Sequence, residues 1–240
     1  MSDRRRKLVV SGNLAPLIVL ALLACSGCYA WGPEAHRLVT QRAVDTLPPG
    51  IKGYFQSHLP FLQAHVNDPN QWMKKDRYER LRHYIFLDEY GRFPYLKLPH
   101  SYEDAVTRYG SGHIARTGTL PWQIGEYSLR LTNELRDGTW DLALEDAAVM
   151  GYYVTDAHDP LNTTENYDGQ LTGQTGLAAR FGSALFDRYQ NFMLFRAAPA
   201  VKIDDPTEYA FKIVLESHTW VDNILLADRN ALDDLPGYDE

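Results

Sequence analysis

Between Asp146 and Asp156 the chain carries no charge, and the residues filling that interval, AAVMGYYVT, continue an apolar pattern begun at Leu142 and Leu144. Apolar residues recurring three and four apart read as helix, and a helix without charges around its second half is buried on several sides. A chain containing such a segment must wrap other elements around it, and the available elements are also helical. PEAHRLVTQRAVDTL, residues 33–47, has a first-turn proline and apolar residues at Leu38, Val39, Ala43, Val44 and Leu47. Residues 120–135 repeat the pattern with Ile124, Tyr127, Leu129, Leu131 and Leu135, and one long helix is predicted over roughly 205–228. Turn-forming clusters separate these segments: Pro48-Pro49-Gly50, Asn67-Asp68-Pro69-Asn70, Tyr90-Gly91-Arg92-Phe93-Pro94 and Asn166-Tyr167-Asp168-Gly169. No alternating stretch is long enough to build a sheet. The expectation is an all-α fold, a single-domain multi-helix bundle over residues 31–240.

The first thirty residues stand outside that pattern. MSDRRRK gives a basic start, LAPLIVLALLA is an apolar run too short to span a bilayer comfortably, and Cys28-Tyr29-Ala30 closes it with small residues. This predicts a signal peptide over residues 1–30, with Trp31 as the new N-terminus. Leu22-Leu23-Ala24-Cys25 also fits a lipoprotein signal anchored at Cys25, and Arg5-Arg6-Lys7-Leu8-Val9 fits a twin-arginine signal. All three readings predict export, and none leaves a transmembrane segment in the remaining chain.

Residues 1–30 hold four of the 24 Lys+Arg and one of the 31 Asp+Glu, which leaves 20 against 30, a formal charge of −10. That balance argues against binding duplex nucleic acid by charge. It is compatible with an enzyme that grips one phosphate through a metal, because the ion brings its own positive charge. Both cysteines lie within the first thirty residues, so the core must suffice without a disulfide.

Four features stand out among residues able to carry chemistry. A free amine at Trp31 would form a five-membered chelate with its own carbonyl oxygen, and His36 follows in the first turns of the next helix; taken alone, the pair reads as an anchoring aromatic and a surface histidine. Asp68 precedes a proline and reads as a turn-former or cap. His83 opens the apolar run His83-Tyr84-Ile85 and suits either core or ligand. Asp156, near the end of this buried helix, needs hydrogen bonds, a basic group or a metal. His158 either orients Asp156 or caps the helix C-terminus. His58, His65, His100 and His113 read as surface or capping residues, and His218 as a hydrogen-bonded core residue.

In combination these features resemble one family. The order Trp-x-x-x-x-His, then Asp68, then His-Tyr-Ile fifteen residues later, then Tyr-Val-x-Asp-Ala-His-x-Pro-Leu is similar to that of the bacterial zinc-dependent phospholipases C and single-strand-specific nucleases. The likeness runs from Trp31 to about Asn223 and includes GTLPW at 118–122 and NYDGQLTGQTGLAARF at 166–181. It implies an all-α phosphodiesterase with three zinc ions, the first held by an N-terminal tryptophan. Carried over by position, Trp31, His36 and Asp156 would hold one zinc. Asp68, His83 and the shared Asp156 would hold a second, with Asp68 also the candidate catalytic base. A further histidine of that second site falls at Tyr152. The third zinc loses its usual ligands: its positions fall at Asn162, Ala178 and Gly182. An Asp usual after His-Tyr-Ile is Phe86 here, with Asp88 two residues on.

Four of the departures fall in one helix–loop–helix stretch, where Asp159, Asn162, Glu165 and Asp168 crowd together as oxygen donors without a known calcium or magnesium spacing. The resemblance therefore implies an exported zinc-dependent hydrolase of phosphodiester or other ester bonds, with one or two zinc ions instead of three and weakened or altered activity. Its substrate would be a phospholipid or a single-stranded nucleic acid. The alternative is a catalytically inactive pseudoenzyme acting as a binding or structural module.

Overall fold

The computed structural model describes residues 31–193 and 200–234; the predicted signal peptide and its alternatives lie outside them. Eleven α-helices are set in order among the described residues. These are α1 (Pro33–Thr46), α2 (Pro49–Ser57), α3 (Leu59–His65), α4 (Asp68–Trp72), α5 (Tyr102–Tyr109), α6 (Ser111–Thr117), α7 (Leu120–Asp137), α8 (Trp140–Ala157), α9 (Phe186–Tyr189), α10 (Pro206–His218) and α11 (Val221–Asp234). Short 3-10 turns lie at Glu79–Arg82, Leu87–Tyr90 and Pro160–Thr163, and a π-helical segment at Ala179–Leu185. No strand occurs among the described residues, so the fold is all-α. No helix among them is long and apolar enough to cross a membrane.

α8, uncharged between Asp146 and Asp156, is the centre of the bundle. One side of α8, Leu144 and Ala148, packs with Val44 of α1, Phe55 of α2 and Leu62 of α3. The other side, Val149, Tyr152, Tyr153 and Ala157, packs with Trp122, Ile124 and Tyr127 of α7 and with Ala210, Phe211 and Val214 of α10. Phe211 has no exposure at all, a burial that stabilises by about 1.5–3 kcal/mol. α7 begins with a first-turn proline and stops at Gly138, whose left-handed φ of 73° returns its N–H to Glu134 O.

Two details differ from the sequence expectation. The long helix predicted over roughly 205–228 is broken after His218, where Thr219 N and Trp220 N bond three residues back, to Glu216 O and Ser217 O. Tertiary bonds explain the break: Ser217 Oγ donates to Ala157 O at 2.9 Å, and Nε2 of His218 meets the Tyr95 hydroxyl at 2.6 Å. The Asn67–Asn70 connector is partly helical, because Asp68-Pro69 starts the short α4 instead of a plain turn.

Candidate metal centre

α1 and α8 bring His36 and Asp156 together, and the turn after Arg82 adds His83. His36 is buried, its ring stacked on Tyr152 with centroids 3.9 Å apart and planes 5° from parallel. Its Nε2 is 3.8 Å from Asp156 Oδ1, and neither ring nitrogen has a hydrogen-bond partner. Burial lowers its pKa to about 4, with the Asp156 charge raising it, His83 lowering it further and the Trp31 main chain raising it slightly. His36 is therefore a neutral imidazole at ordinary pH, the form that ligates metals.

Asp156 is divided between two imidazoles. Its Oδ2 accepts from His83 Nδ1 at 2.8 Å, and its main-chain oxygen accepts from Asn162 Nδ2 at 3.1 Å. The other ring nitrogen of His83, Nε2, lies 3.3 Å from Glu79 Oε1. Ionised carboxylates only accept, so both nitrogens are placed to donate and the two acids favour the imidazolium form of His83. Burial works against that charge, but the bonds and charges of Asp156 and Glu79 outweigh it and hold the pKa above the usual 6.5. Glu79 is itself buried. It accepts from the Tyr153 hydroxyl and, at 2.9 Å, from Arg82 Nη1. Burial alone would raise its pKa, and the His83 and Tyr153 bonds, with Arg82, bring it below 4.5.

The remaining expected residues have their own places. Trp31 packs its ring on Phe181 and Phe186, and Gly32 N donates to Gly182 O at 3.1 Å, so the start of the domain docks on the π-helical segment. Asp68 lies apart from His83 and Asp156 in these contacts: it pairs with His65 Nδ1 at 2.8 Å and its side chain is 40% exposed. His158 is exposed and donates from Nδ1 to Val154 O at 2.8 Å, so it caps α8 while His83 and Asn162 hold Asp156. Tyr152 packs between the two imidazoles, stacked on His36 and edge-on to His83 at 5.2 Å. Ala178 joins Leu161 and Leu177 in a small apolar cluster. The oxygen donors of the following loop turn to the main chain separately: Asp159 to Leu161 N, and Asp168 to Gly176 N and Ala178 N.

These contacts bear on which ions the residues fit. Two donors on one tetrahedral zinc, each about 2.0–2.1 Å from it, sit about 3.3 Å apart. The 3.8 Å gap between His36 and Asp156 approaches that spacing, and both His36 nitrogens lack a partner. The His83–Asp156 contact is a closed hydrogen bond, and His83 has no nitrogen left for a metal. Among the described residues no three His, Cys, Asp or Glu side chains converge to hold a metal, so a metal at His36 and Asp156 would need donors of another kind. The donors fit one ion better than two.

Glu79, Arg82 and Tyr153 escaped the sequence reading. Glu79 stands four residues before His83, a spacing visible in ERLRH, but its bond to Tyr153 spans 74 positions. Asp159 stands in the sequence only as one of several loop oxygens. It is fully buried, with Oδ1 accepting from Leu161 N at 2.8 Å and Oδ2 unpartnered. Burial pushes its pKa up to about 8, against the Leu161 bond and with help from the Asp156 charge. The unfolded chain gives up this proton near 3.8, so the folded state binds it more tightly and loses stability as pH rises from about 4 to about 8. Asp159→Asn, which cannot ionise, should melt at about the same temperature as the wild type near pH 4 and several degrees higher at pH 8. Parallel pH–melting curves for the two chains would remove this assignment.

The sequence matches no model of a known protein family, and it matches none of the curated proteins with which it was compared.

Proposed function

We propose that the chain is an exported hydrolase of phosphodiester bonds that works with a single zinc ion, held by main-chain atoms of Trp31 and by His36 and Asp156. The observation carrying this reading is His36: a buried, neutral imidazole with both nitrogens unpartnered, facing a buried carboxylate. An imidazole left so without a ligand costs about 1–3 kcal/mol for its desolvated polar atoms. Zinc held there supplies a Lewis acid for the phosphoryl oxygen and for the attacking water. The protein's own residues hold the site. His83, fixed by Glu79, orients Asp156 Oδ2 and leaves Oδ1 toward His36. The Tyr152 ring fixes the His36 plane. The substrate class is a phospholipid or a single-stranded nucleic acid, neither of which requires a basic surface once a metal grips the phosphate.

Protein beginning at Trp31, purified without chelators, should hold about one zinc per chain, as expected for a three-donor site completed by water. It should also hydrolyse bis(4-nitrophenyl) phosphate. His36→Ala should lose both the metal and the activity while keeping the helical circular dichroism spectrum. Zinc-free wild-type protein with an intact Trp31 amine would refute the proposal.

A second reading, a catalytically inactive module, is favoured by a different observation. The positions where the resemblance places further ligands serve the protein interior: His83 is bonded at both nitrogens, Asn162 ties to Asp156 O, and Gly182 receives Gly32. One bound zinc without hydrolysis of any phosphodiester would select this reading.

A further inference from the structure

The loop between the Leu87–Tyr90 turn and α5 turns apolar side chains outward. Leu96 is 89% exposed, more than any other large apolar side chain among the described residues, and Phe93 is 59% exposed. Single exposed apolar residues are ordinary on a protein surface, but two on one anchored turn ask for a partner. The anchoring is done by the residues beside them. Tyr95 and Leu98 are buried in the main core. The Tyr95 hydroxyl meets His218 Nε2 at 2.6 Å, and the Tyr109 hydroxyl donates to Lys97 O at 3.2 Å. Tyr95 N donates to Arg92 O and Leu98 N to Tyr95 O, both at 2.9 Å. Tyr95 also has a left-handed φ of 57°, the one non-glycine residue described that does. Such a backbone persists only where surrounding contacts hold it. Phe93 and Leu96 are therefore displayed by a fixed turn.

The charge on this turn has one sign. From Gly91 to Ser101 the chain contains no carboxylate, while Arg92 and Lys97 are exposed and form no ion pair among the described residues. The acids just before the loop are occupied elsewhere. Asp88 accepts from Thr164 Oγ1 and Glu165 N, and Glu89 lies 3.9 Å from Arg116. Asp88 and Asp222 act on the Tyr95 hydroxyl, at the inner side of the loop. Two apolar tips are thus bracketed by two free cations.

We propose that this loop attaches the protein to the surface of an anionic lipid bilayer. Phe93 and Leu96 enter the boundary between headgroups and acyl chains, and Arg92 and Lys97 lie against the lipid phosphates. Two side chains fall far short of the roughly 800 Å² per partner that a stable protein interface buries. A bilayer asks for less, since apolar tips flanked by cations suffice for reversible interfacial attachment. The net negative charge of the chain does not oppose it, because exposed charges more than about 10 Å away are screened at about 0.1 M salt. The attachment stands independently of the zinc reading.

Co-sedimentation of the chain beginning at Trp31 with lipid vesicles tests it. Vesicles of equimolar phosphatidylglycerol and phosphatidylcholine should bind the protein, and vesicles of phosphatidylcholine alone at least about tenfold less. Binding should be the same with EDTA present, so a failed zinc reading leaves it intact. Phe93→Ser combined with Leu96→Ser should lower the partition coefficient at least about tenfold. Arg92→Gln combined with Lys97→Gln should lower it by a similar factor and remove most of its salt dependence. All four side chains are exposed, so both double variants should keep the wild-type melting temperature. No binding to either vesicle, equal binding to both, or undiminished binding by either double variant would overturn the proposal. Absence of vesicle binding together with a dimer in analytical ultracentrifugation, abolished in the Phe93–Leu96 variant, would assign the loop to a second copy of the chain instead.

Discussion

Alanine at Gly118 is expected to lower the thermal midpoint by roughly 6–12 °C, the shift corresponding to about 3 kcal/mol in a domain of this size. Gly118 has φ of +93°, and a Cβ there would fall 2.1 Å from the Tyr84 carbonyl oxygen. That oxygen is main chain and accepts from Leu120 N at 3.2 Å, so it has no free direction of retreat. The bonds Phe86 N to Thr117 O and Thr119 N to Leu81 O, both 2.7 Å, clamp the two segments on either side. Overpacking of about 1–3 kcal/mol adds to left-handed backbone strain of about 1–2 kcal/mol. Gly53→Ala is the control: its Cβ meets nothing within 4 Å, inside α2. Helix propensity there favours alanine by about 1 kcal/mol. Equal melting of the Gly118 and Gly53 variants, followed by circular dichroism, would contradict the packing described. Because Tyr84 follows His83, which orients Asp156, the Gly118 variant should also weaken the zinc binding proposed above.

Glu79→Ala should cost about 3–5 kcal/mol in the metal-free chain, as removal of one partner from a buried ion pair does. It strands the His83 imidazolium edge, the Tyr153 hydroxyl and Arg82 together. The pH dependence has a definite sign. The His83 pKa is raised, so its contribution is complete below the unfolded value of 6.5 and fades as pH rises through the higher folded value. The Glu79 pKa is lowered, so its contribution is complete above 4.5 and fades as pH falls through the lower folded value. The difference in melting temperature between wild type and variant should therefore be greatest between pH 4.5 and 6.5. A difference that stays constant from pH 4 to pH 9 would show that the His83–Glu79 bond is not ionic.

How far each feature could be read from the sequence depended on the range of the interactions behind it. Helical periodicity is local, and so the helix with an uncharged second half, its burial on several sides and the first-turn proline of α1 were legible. The break after His218 was not, because nothing in YAFKIVLESHTWVDN interrupts the helical pattern. The interruption follows bonds to Ala157 and Tyr95, 60 and 123 positions away. Asp156 stood out in the sequence as a carboxylate on an apolar helix, since burial demands a partner whatever that partner is.

Residue type and spacing thus determined the all-α class, the central helix and the set of side chains able to ligate. Tertiary structure decided how those side chains are used. His83 and Asp156, 73 positions apart, meet in a closed hydrogen bond. Asp68 is drawn into a surface pair with His65, and Glu79 enters from outside the candidate list. The physical reason is that an imidazole or carboxylate acquires its charge state from burial and from the nearest donor or acceptor. In this protein those partners come from distant segments, so the sequence names the groups and the packing assigns their protons.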